Sequence, residues 1–367
     1  MALKRYFNIL KEFDWILAGA VCVLICFGLV ALYSIGVSFD NADFLNLKKQ
    51  VIAAVIGLII FFVLSFLDYR FLHSLGYQIY FLALALLVGV LFFGRTIAGT
   101  TGWFSLFGLS FQPVEVAKLA LIIFLAWFLT EQAERIKELK TFLLSGLFVA
   151  ALFLLVIFQP DFGSGLILLV IWFGLLFLSG ANKKHLLAVL ILMAILFSFA
   201  WFFLFADYQK DRILTFFNPQ SDPYDRGYQV HQAVIAVGSG GLFGRGLGFG
   251  SQSQLKFIPA SQTDFIFAVI AEELGFFGVS LVLFLWGVIF YRLLKAANQM
   301  KDNFSTLFIF GASLLFFVQI FVNIGMNIGL VPVTGIPLPL LSSGGSFLIV
   351  SLAIFGLAES MIIRNRS

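Results

Sequence analysis

A 367-residue chain that is 61% apolar and only 11% charged has too little polar surface to fold in water. Its mean hydropathy of +1.04, with 48 phenylalanines spread along the whole length, makes lipid the solvent and one polytopic bundle the expected fold. The net charge of +4 gives no case for a nucleic-acid partner and reflects basic loops beside a membrane.

Ten apolar runs reach or approach the ~20 residues that a bilayer requires. They lie at 14–36, 48–67, 76–94, 113–130, 141–158, 162–179, 185–206, 264–292, 304–328 and 342–363. The predicted class is therefore an all-α integral membrane protein of ten transmembrane helices. It forms one membrane domain over 1–367, with a large extracytoplasmic loop, 207–263, between the seventh and eighth helices. The first run lacks a small-residue cleavage site and reads as a retained span. Cys22 and Cys26, four apart within it, read as packing rather than as a disulfide or a metal pair. Gln159-Pro160-Asp161 reads as the turn between the fifth and sixth spans.

Lys and Arg set the orientation. With the N-terminus inside, fourteen basic residues flank the cytoplasmic ends, and the short outer loops hold only Lys48, Lys49 and Arg95. That bias predicts a multi-pass protein of the cytoplasmic membrane with both termini cytoplasmic. The long outer loop carries Lys210, Arg212, Arg226, Arg245 and Lys256. Its stretch from Tyr228 to Val237 suits an amphipathic helix, and Gly238 to Gly250 reads as a folded, turn-rich segment. That glycine-rich stretch follows no strand and lacks a Gly-Lys-Ser/Thr ending, so it is not read as a nucleotide site.

This orientation gathers the ionisable side chains at the outer face. The fourth span opens there with Pro113 as an N1 proline, followed by Glu115 and Lys118 three apart on one helix face. Asp161 arrives with the fifth span. Asp264 stands where the outer loop becomes the eighth span, expected in the first helical turn, with Ser261 or Thr263 as cap. The proline- and glycine-rich stretch 331–346 also lies outside and reads as irregular or re-entrant backbone. Each residue also has a plainer role open to it. Glu115 and Lys118 are a possible structural pair, Asp161 a cap for the sixth helix, and Asp264 a favourable partner for the helix dipole. Glu272 and Glu273 lie two to three turns further in, where ionised carboxylates are costly. Glu272, nearer the Asp264 face, reads as a buried hydrogen-bonded acid that holds helices together or as a lining of the same cavity, and His231 as a surface or packing histidine.

Together these stretches resemble the SEDS family (shape, elongation, division and sporulation). The resemblance rests on Trp103 with Phe111-Gln-Pro-Val-Glu-Val-Ala-Lys118, on Gln159-Pro-Asp-Phe-Gly163, and on Asn218-Pro through Asp222-Pro with Gly227-Tyr-Gln229. It continues through Gly238-Ser-Gly-Gly241, Gln252-Ser-Gln-Leu255, Thr263-Asp-Phe-Ile-Phe267 with Glu272-Glu-Leu-Gly275, and Gly335-Ile-Pro-Leu-Pro-Leu through Gly344-Gly-Ser346. The Gln252–Leu255 run is more similar to the elongation-type members than to the division-type members. The resemblance implies a peptidoglycan glycosyltransferase that polymerises lipid II and works with a class B penicillin-binding protein. It also implies a divalent cation, Mg²⁺ or Mn²⁺. Asp264 is then the essential aspartate, as general base or as metal ligand, and Glu115 and Lys118 line the central cavity with Trp103 and Asp161 near them. Gln254 and Thr263 are expected beside the substrate. Gly102 stands where the family usually has an arginine, and Ala260-Ser261-Gln262 where it often has charged or histidine residues. The candidates for holding the diphosphate are therefore Lys118, Arg95, Arg212, Arg226, Arg245 and Lys256. A flippase for lipid-linked precursors is the alternative of a different class, and it predicts polar residues on both sides of the midplane.

Overall fold

The computed structural model describes residues 11–37, 43–97, 99–106, 109–203, 210, 214–216 and 226–366. Arg212 and the Asn218–Asp222 stretch lie outside the described residues. The chain runs through α1 (Trp15–Gly36), α2 (Leu45–Phe66) and α3 (Gly76–Phe93), then three short strands, β1 (Arg95–Ile97), β2 (Thr100–Leu106) and β3 (Leu109–Phe111). It continues with α4 (Pro113–Glu131), α5 (Leu139–Ile157), α6 (Phe162–Leu178) and α7 (Lys183–Phe203). The amphipathic α8 (Arg226–Ser239) precedes α9 (Ile266–Ala297), α10 (Asn303–Asn327) and α11 (Gly345–Arg366). Among the described residues nine helices are long and apolar enough to cross a membrane, and α6 is apolar but shorter, at 17 residues.

Both lipid and protein core are apolar, so small residues rather than an amphipathic pattern decide which helix faces meet. α11 packs along α2 where Gly57 and Gly356 let the chains approach: a Cβ on Gly57 would lie 2.5 Å from Leu352 Cδ1, and one on Gly356 2.6 Å from Phe61 O. Gly311 of α10 meets Ile122 of α4 in the same way, and Gly174 of α6 meets Leu314 of α10. α11 is buried on almost every face, so it is the centre of the bundle. The end bearing the chain termini is closed by charge. Arg292 donates from Nε to both oxygens of buried Asp14, at 3.1 and 2.8 Å, and Asp14 N donates to Glu359 Oε1 at 2.6 Å.

The strands were not anticipated from periodicity. They form a small antiparallel sheet in the order β1-β2-β3, with Arg95 opposite Trp103 and Phe104 opposite Phe111. Pairs this short carry too few alternating residues to register as strands. The sheet delivers the chain directly to Pro113.

α9 is not one helix. Gly275 adopts φ 64° and ψ −162°, a conformation available essentially to glycine alone. In an unbroken helix Phe276 N would pair with Glu272 O, and Phe277 N with Glu273 O. Here all four groups pair with the glycine-rich loop. Phe276 N donates to Gly241 O (2.9 Å) and Phe277 N to Leu242 O (3.1 Å), while Arg245 N and Gly246 N donate to Glu272 O and Glu273 O (both 3.0 Å). The two glutamates bind the same segment with their side chains, as the sequence suggested. Glu272 accepts from Gln252 N (2.8 Å) and Ser253 N (3.0 Å), and Glu273 from Ser34 Oγ (2.6 Å) and Gly248 N (3.3 Å). Such close backbone approach needs missing side chains. A Cβ on Gly240 would lie 1.9 Å from Ala271 O, and one on Gly244 2.1 Å from Glu273 O.

Gly244→Val is expected to destabilise strongly, because it adds overpacking (about 1–3 kcal/mol) to a left-handed backbone (about 1–2 kcal/mol). Thermal melting of the purified protein should fall by about 3–6 °C. Gly238→Ala, where nothing lies within 4 Å of the added Cβ, should melt within a degree or two of the parent.

Candidate functional site

Three helix starts and one loop meet at the end of the bundle opposite the termini: those of α4, α6 and α9, with the segment 328–344. Pro113 occupies the start of α4, as its fixed φ favours. Ser346, at the start of α11, ties strand to helix by donating to Ser110 O (2.9 Å) and accepting from Gln112 N (3.2 Å). One turn into α4, Lys118 Nζ lies 2.7 Å from Glu115 Oε1, with both side chains buried and Nζ 5.9 Å from the Phe347 ring centroid. The pair is made and enclosed. Asp161 performs the capping that its position suggested, accepting from Ser164 N at 3.0 Å. Its second oxygen is 3.5 Å from Gln112 Nε2, which links α6 to the start of α4 and brings Asp161 within electrostatic reach of Glu115.

Asp264 stands just before α9, not within its first turn. The helix starts at Ile266 after Phe265, which makes no side-chain cap, so neither Ser261 nor Thr263 caps it. Thr263 Oγ1 instead donates to Ala260 O at 3.3 Å within a tight turn. The cap comes from another helix: Asn327 Oδ1 on α10 accepts from Ala268 N at 3.1 Å. Asn327 and Asn323 each donate from Nδ2 to Asp264 O at 2.9 Å, and Asn323 also donates to Ile336 O at 2.8 Å. Ser342 Oγ donates to Thr263 O at 2.5 Å, and Gln50 of α2 clamps the same loop through Ser342 O and Gly344 N, both at 3.0 Å. The turn is thus held through its backbone, and the Asp264 side chain is half-buried.

The loop brings the acids together. A Cβ on Gly335 would lie 3.8 Å from Asp264 Oδ2, and a Cβ on Gly163 would lie 3.0 Å from Thr334 O and from Ile336 Cγ1. The stretch 334–336 therefore borders both Asp264 and the first turn of α6, two residues beyond Asp161. Trp103 sits on β2 beside Gly102, which backs onto Gln159 near Asp161. The Trp103 indole N–H and the Thr334 hydroxyl are buried without a protein partner among the described residues.

The remaining candidates disperse. Gln254 is structural: it is buried and donates to Ser34 O (3.0 Å) and Glu273 Oε1 (3.3 Å), locking the loop to α1. Arg245 is exposed on the glycine-rich loop, at the level of Glu272, about 12 Å along the helix from Asp264. Lys256 and Arg95 are exposed at the same end of the bundle. Arg226 opens α8, and its side chain, like all of Arg212, is outside the described residues. His231 is exposed in the wall of a groove of about 260 Å³ between α8 and Ile328–Val333 that holds none of the acids. Asn323, Asn327, Gln50 and Ser342 were not singled out from the sequence. An Asn-x-x-x-Asn spacing inside an apolar span was the visible signal for the first two. Among the described residues no three His, Cys, Asp or Glu side chains are grouped to hold a metal. A lone carboxylate suits Mg²⁺, which keeps its waters and binds substrate phosphates, rather than a protein cage.

The fold and this convergence of acids at one end define a polytopic integral membrane protein with a polar site at the mouth of its bundle. Over residues 14–366 the chain matches the family described as cell cycle protein, FtsW/RodA/SpoVE, and it belongs to that family. It is 38% identical over 327 residues to peptidoglycan glycosyltransferase MrdB of Escherichia coli K12, covering 88% of this chain and 87% of that one. To stage V sporulation protein E of Bacillus subtilis it is 36% identical, covering 94% and 95%. Among solved structures it is similar to a chain of a peptidoglycan synthase complex that coordinates polymerization and crosslinking (TM-score 0.81, 34% identity, 96% and 98% covered). It is also similar to the rod shape determining protein RodA of Thermus thermophilus (TM-score 0.70, 32% identity, 96% and 97% covered).

Lys118→Met should cost about 3–5 kcal/mol, because it strands a buried carboxylate. The double variant Glu115→Gln/Lys118→Met should recover most of that loss in a denaturation midpoint. Asn327→Leu removes both the acceptor for Ala268 N and a donor to Asp264 O, and should cost about 1–3 kcal/mol in the same measurement.

Proposed function

We propose that this chain is a peptidoglycan glycosyltransferase that polymerises lipid II on the outer face of the cytoplasmic membrane, with both termini in the cytoplasm. The family and its named relatives support the reaction, and the basic-residue bias supports the orientation. The reading is carried by one observation: a carboxylate at the bundle's mouth whose turn is anchored by backbone hydrogen bonds to α10 and to the 328–344 loop. An anchored backbone with a half-exposed side chain is what a reacting group requires, since its position is fixed while its proton can still move.

In this reaction the 4-hydroxyl of an acceptor disaccharide attacks the anomeric carbon of the donor. The new C–O bond forms as the bond to undecaprenyl diphosphate breaks, and the leaving group departs with that electron pair. Asp264 takes the hydroxyl proton. The donor already carries a good leaving group, so a second carboxylate acting as acid is less necessary than in glycoside hydrolysis. The diphosphate charge needs cations. Lys118, buried and oriented by Glu115, and the exposed Arg95 and Lys256 are assigned that role. In the alternative role, Asp264 would hold a divalent cation instead, which would add positive charge there. The unpartnered Trp103 N–H and Thr334 hydroxyl suit the polar groups of a bound sugar.

Likeness to a rod shape determining protein and to MrdB supports a role in cell elongation, and likeness to a synthase complex supports a class B penicillin-binding protein as partner. The test is purified protein with lipid II and Mg²⁺, with and without that partner, read as glycan length on a gel. Asp264→Asn is expected to lose about 10²-fold or more in rate with an unchanged melting temperature. Near-parental polymerisation by that variant would remove Asp264 from both assigned roles.

A further inference from the structure

The glycine-rich loop belongs to an outer segment that composition assigns to water, yet its surface is apolar. Leu242, Phe243, Leu247 and Phe249 are 61%, 78%, 47% and 71% exposed. Phe243 stacks on Phe277 of α9 with ring centroids 5.1 Å apart, and Phe276 and Phe277 are themselves more than half exposed. Phe243, Phe277 and Phe276 thus join loop to helix, and Leu242, Leu247 and Phe249 add exposed apolar surface on the same loop.

The depth of that band follows from helix length. Beyond the break, α9 runs from Phe276 to Ala297, 22 residues or about 33 Å at 1.5 Å per residue. That length alone spans a hydrocarbon core of about 30 Å, with Arg292 and Lys295 at the far end. Counted from Arg292, the first charge at the far end, Gly275 is 17 residues or about 26 Å away, so the break lies at or just inside the hydrocarbon boundary on the Asp264 side. The hydrogen bonds from Phe276 N and Phe277 N to Gly241 O and Leu242 O hold the loop backbone at the same level. Irregular backbone at such depth is tolerated where its polar groups are paired within the protein, and here the break and the loop pair one another.

We infer that the Gly240–Gly250 loop is a re-entrant wedge seated in the membrane leaflet on the Asp264 side. Its phenylalanines and leucines contact acyl chains, and Arg245 meets the phosphodiester groups. Continuity with the lipid-facing surface of α9 argues for lipid as the occupant, and so does the exposed Arg245 guanidinium placed where phosphates lie. Among the described residues that guanidinium makes one long hydrogen bond, from Nε to Ser239 O at 3.4 Å. Aromatic side chains and arginine together are the composition of a membrane–water interface. The wedge would fix the depth of the 266–274 half-helix, and with it the height of Asp264 above the bilayer.

Site-directed spin labelling of the full chain in phosphatidylglycerol-containing nanodiscs tests this independently of any catalysis. In a Cys22→Ala/Cys26→Ala background, nitroxides at Phe243→Cys and Phe249→Cys are compared with Phe284→Cys as the lipid reference and Glu134→Cys as the aqueous reference. Relaxation by oxygen should exceed relaxation by a water-soluble nickel complex at 243 and 249, as at 284, with the reverse at 134. A preference for nickel would return the loop to water. Inaccessibility to both reagents would mean a protein partner or a second copy covers it. Either result overturns the inference. Should a cysteine variant misfold, the unsubstituted protein can be crosslinked to a photoactivatable phosphatidylglycerol. Adducts within 242–249 are expected, and their absence beside adducts on α9 would overturn the inference equally.

Discussion

A helix beside lipid can break only where every freed backbone group finds a partner. At Gly275 that condition is met in full, because the four groups released by the break are the four taken up by the glycine-rich loop. The glycines of the loop are there for closeness: side chains at 240 or 244 would overlap carbonyls of α9. Glu272 and Glu273 reinforce the junction with their carboxylates, which bind loop amides and Ser34 of α1. An acid in a membrane protein is thus accounted for by the backbone it stabilises, and no substrate is needed to explain it.

The consequence for the site is mechanical. The segment 266–274 becomes a separate half-helix, fixed at one end by the loop and at the other by Asn323 and Asn327 of α10. Asp264 is the residue immediately outside that second anchor, and its own carbonyl is the acceptor for both asparagines. A further clamp from Ser342, itself held by Gln50, keeps the 328–344 loop against the same turn. Helices distant in the chain therefore meet at one loop, which borders Asp264 at Gly335 and the first turn of α6 at Gly163.

What the sequence made legible follows from which interactions are local. The N1 proline at 113, the Asp161 cap and the i,i+3 pair of Glu115 and Lys118 depend on residues within one or two turns and are found where expected. Of the ten apolar runs, nine correspond to helices long enough to span among the described residues and the run at 162–179 to a shorter one. The break at Gly275 was not legible, because a single glycine amid Glu-Glu-Leu-Gly-Phe-Phe resembles a tolerated helix interior. Its meaning lies in a loop some thirty residues earlier. The cap on α9 was misplaced for the same reason: Ser261 and Thr263 are the local candidates, but the acceptor comes from Asn327 on another helix. Gln254 was read as a substrate contact because it lies in a polar run near Asp264, whereas its amide closes the junction between Ser34 and Glu273. The three strands escaped notice because segments of three and seven residues next to apolar spans have no period to read.

Gly335 shows how backbone conformation and access combine at the mouth. Its φ of 75° is one that other residues adopt only at a cost, so the turn itself calls for glycine. Space does not: an added Cβ would meet Asp264 Oδ2 at 3.8 Å, an ordinary contact. The missing side chain nevertheless leaves the carboxylate bordered by bare backbone on the loop side, where a methyl group or larger would narrow the approach. A second acid, Asp161, stands two residues before the glycine that touches this loop, and it spends one oxygen on Ser164 N and turns the other toward Gln112. Asp161 is thus committed to the start of α6 and to Gln112, while the turn that carries Asp264 is anchored through the backbone carbonyls of Thr263 and Asp264.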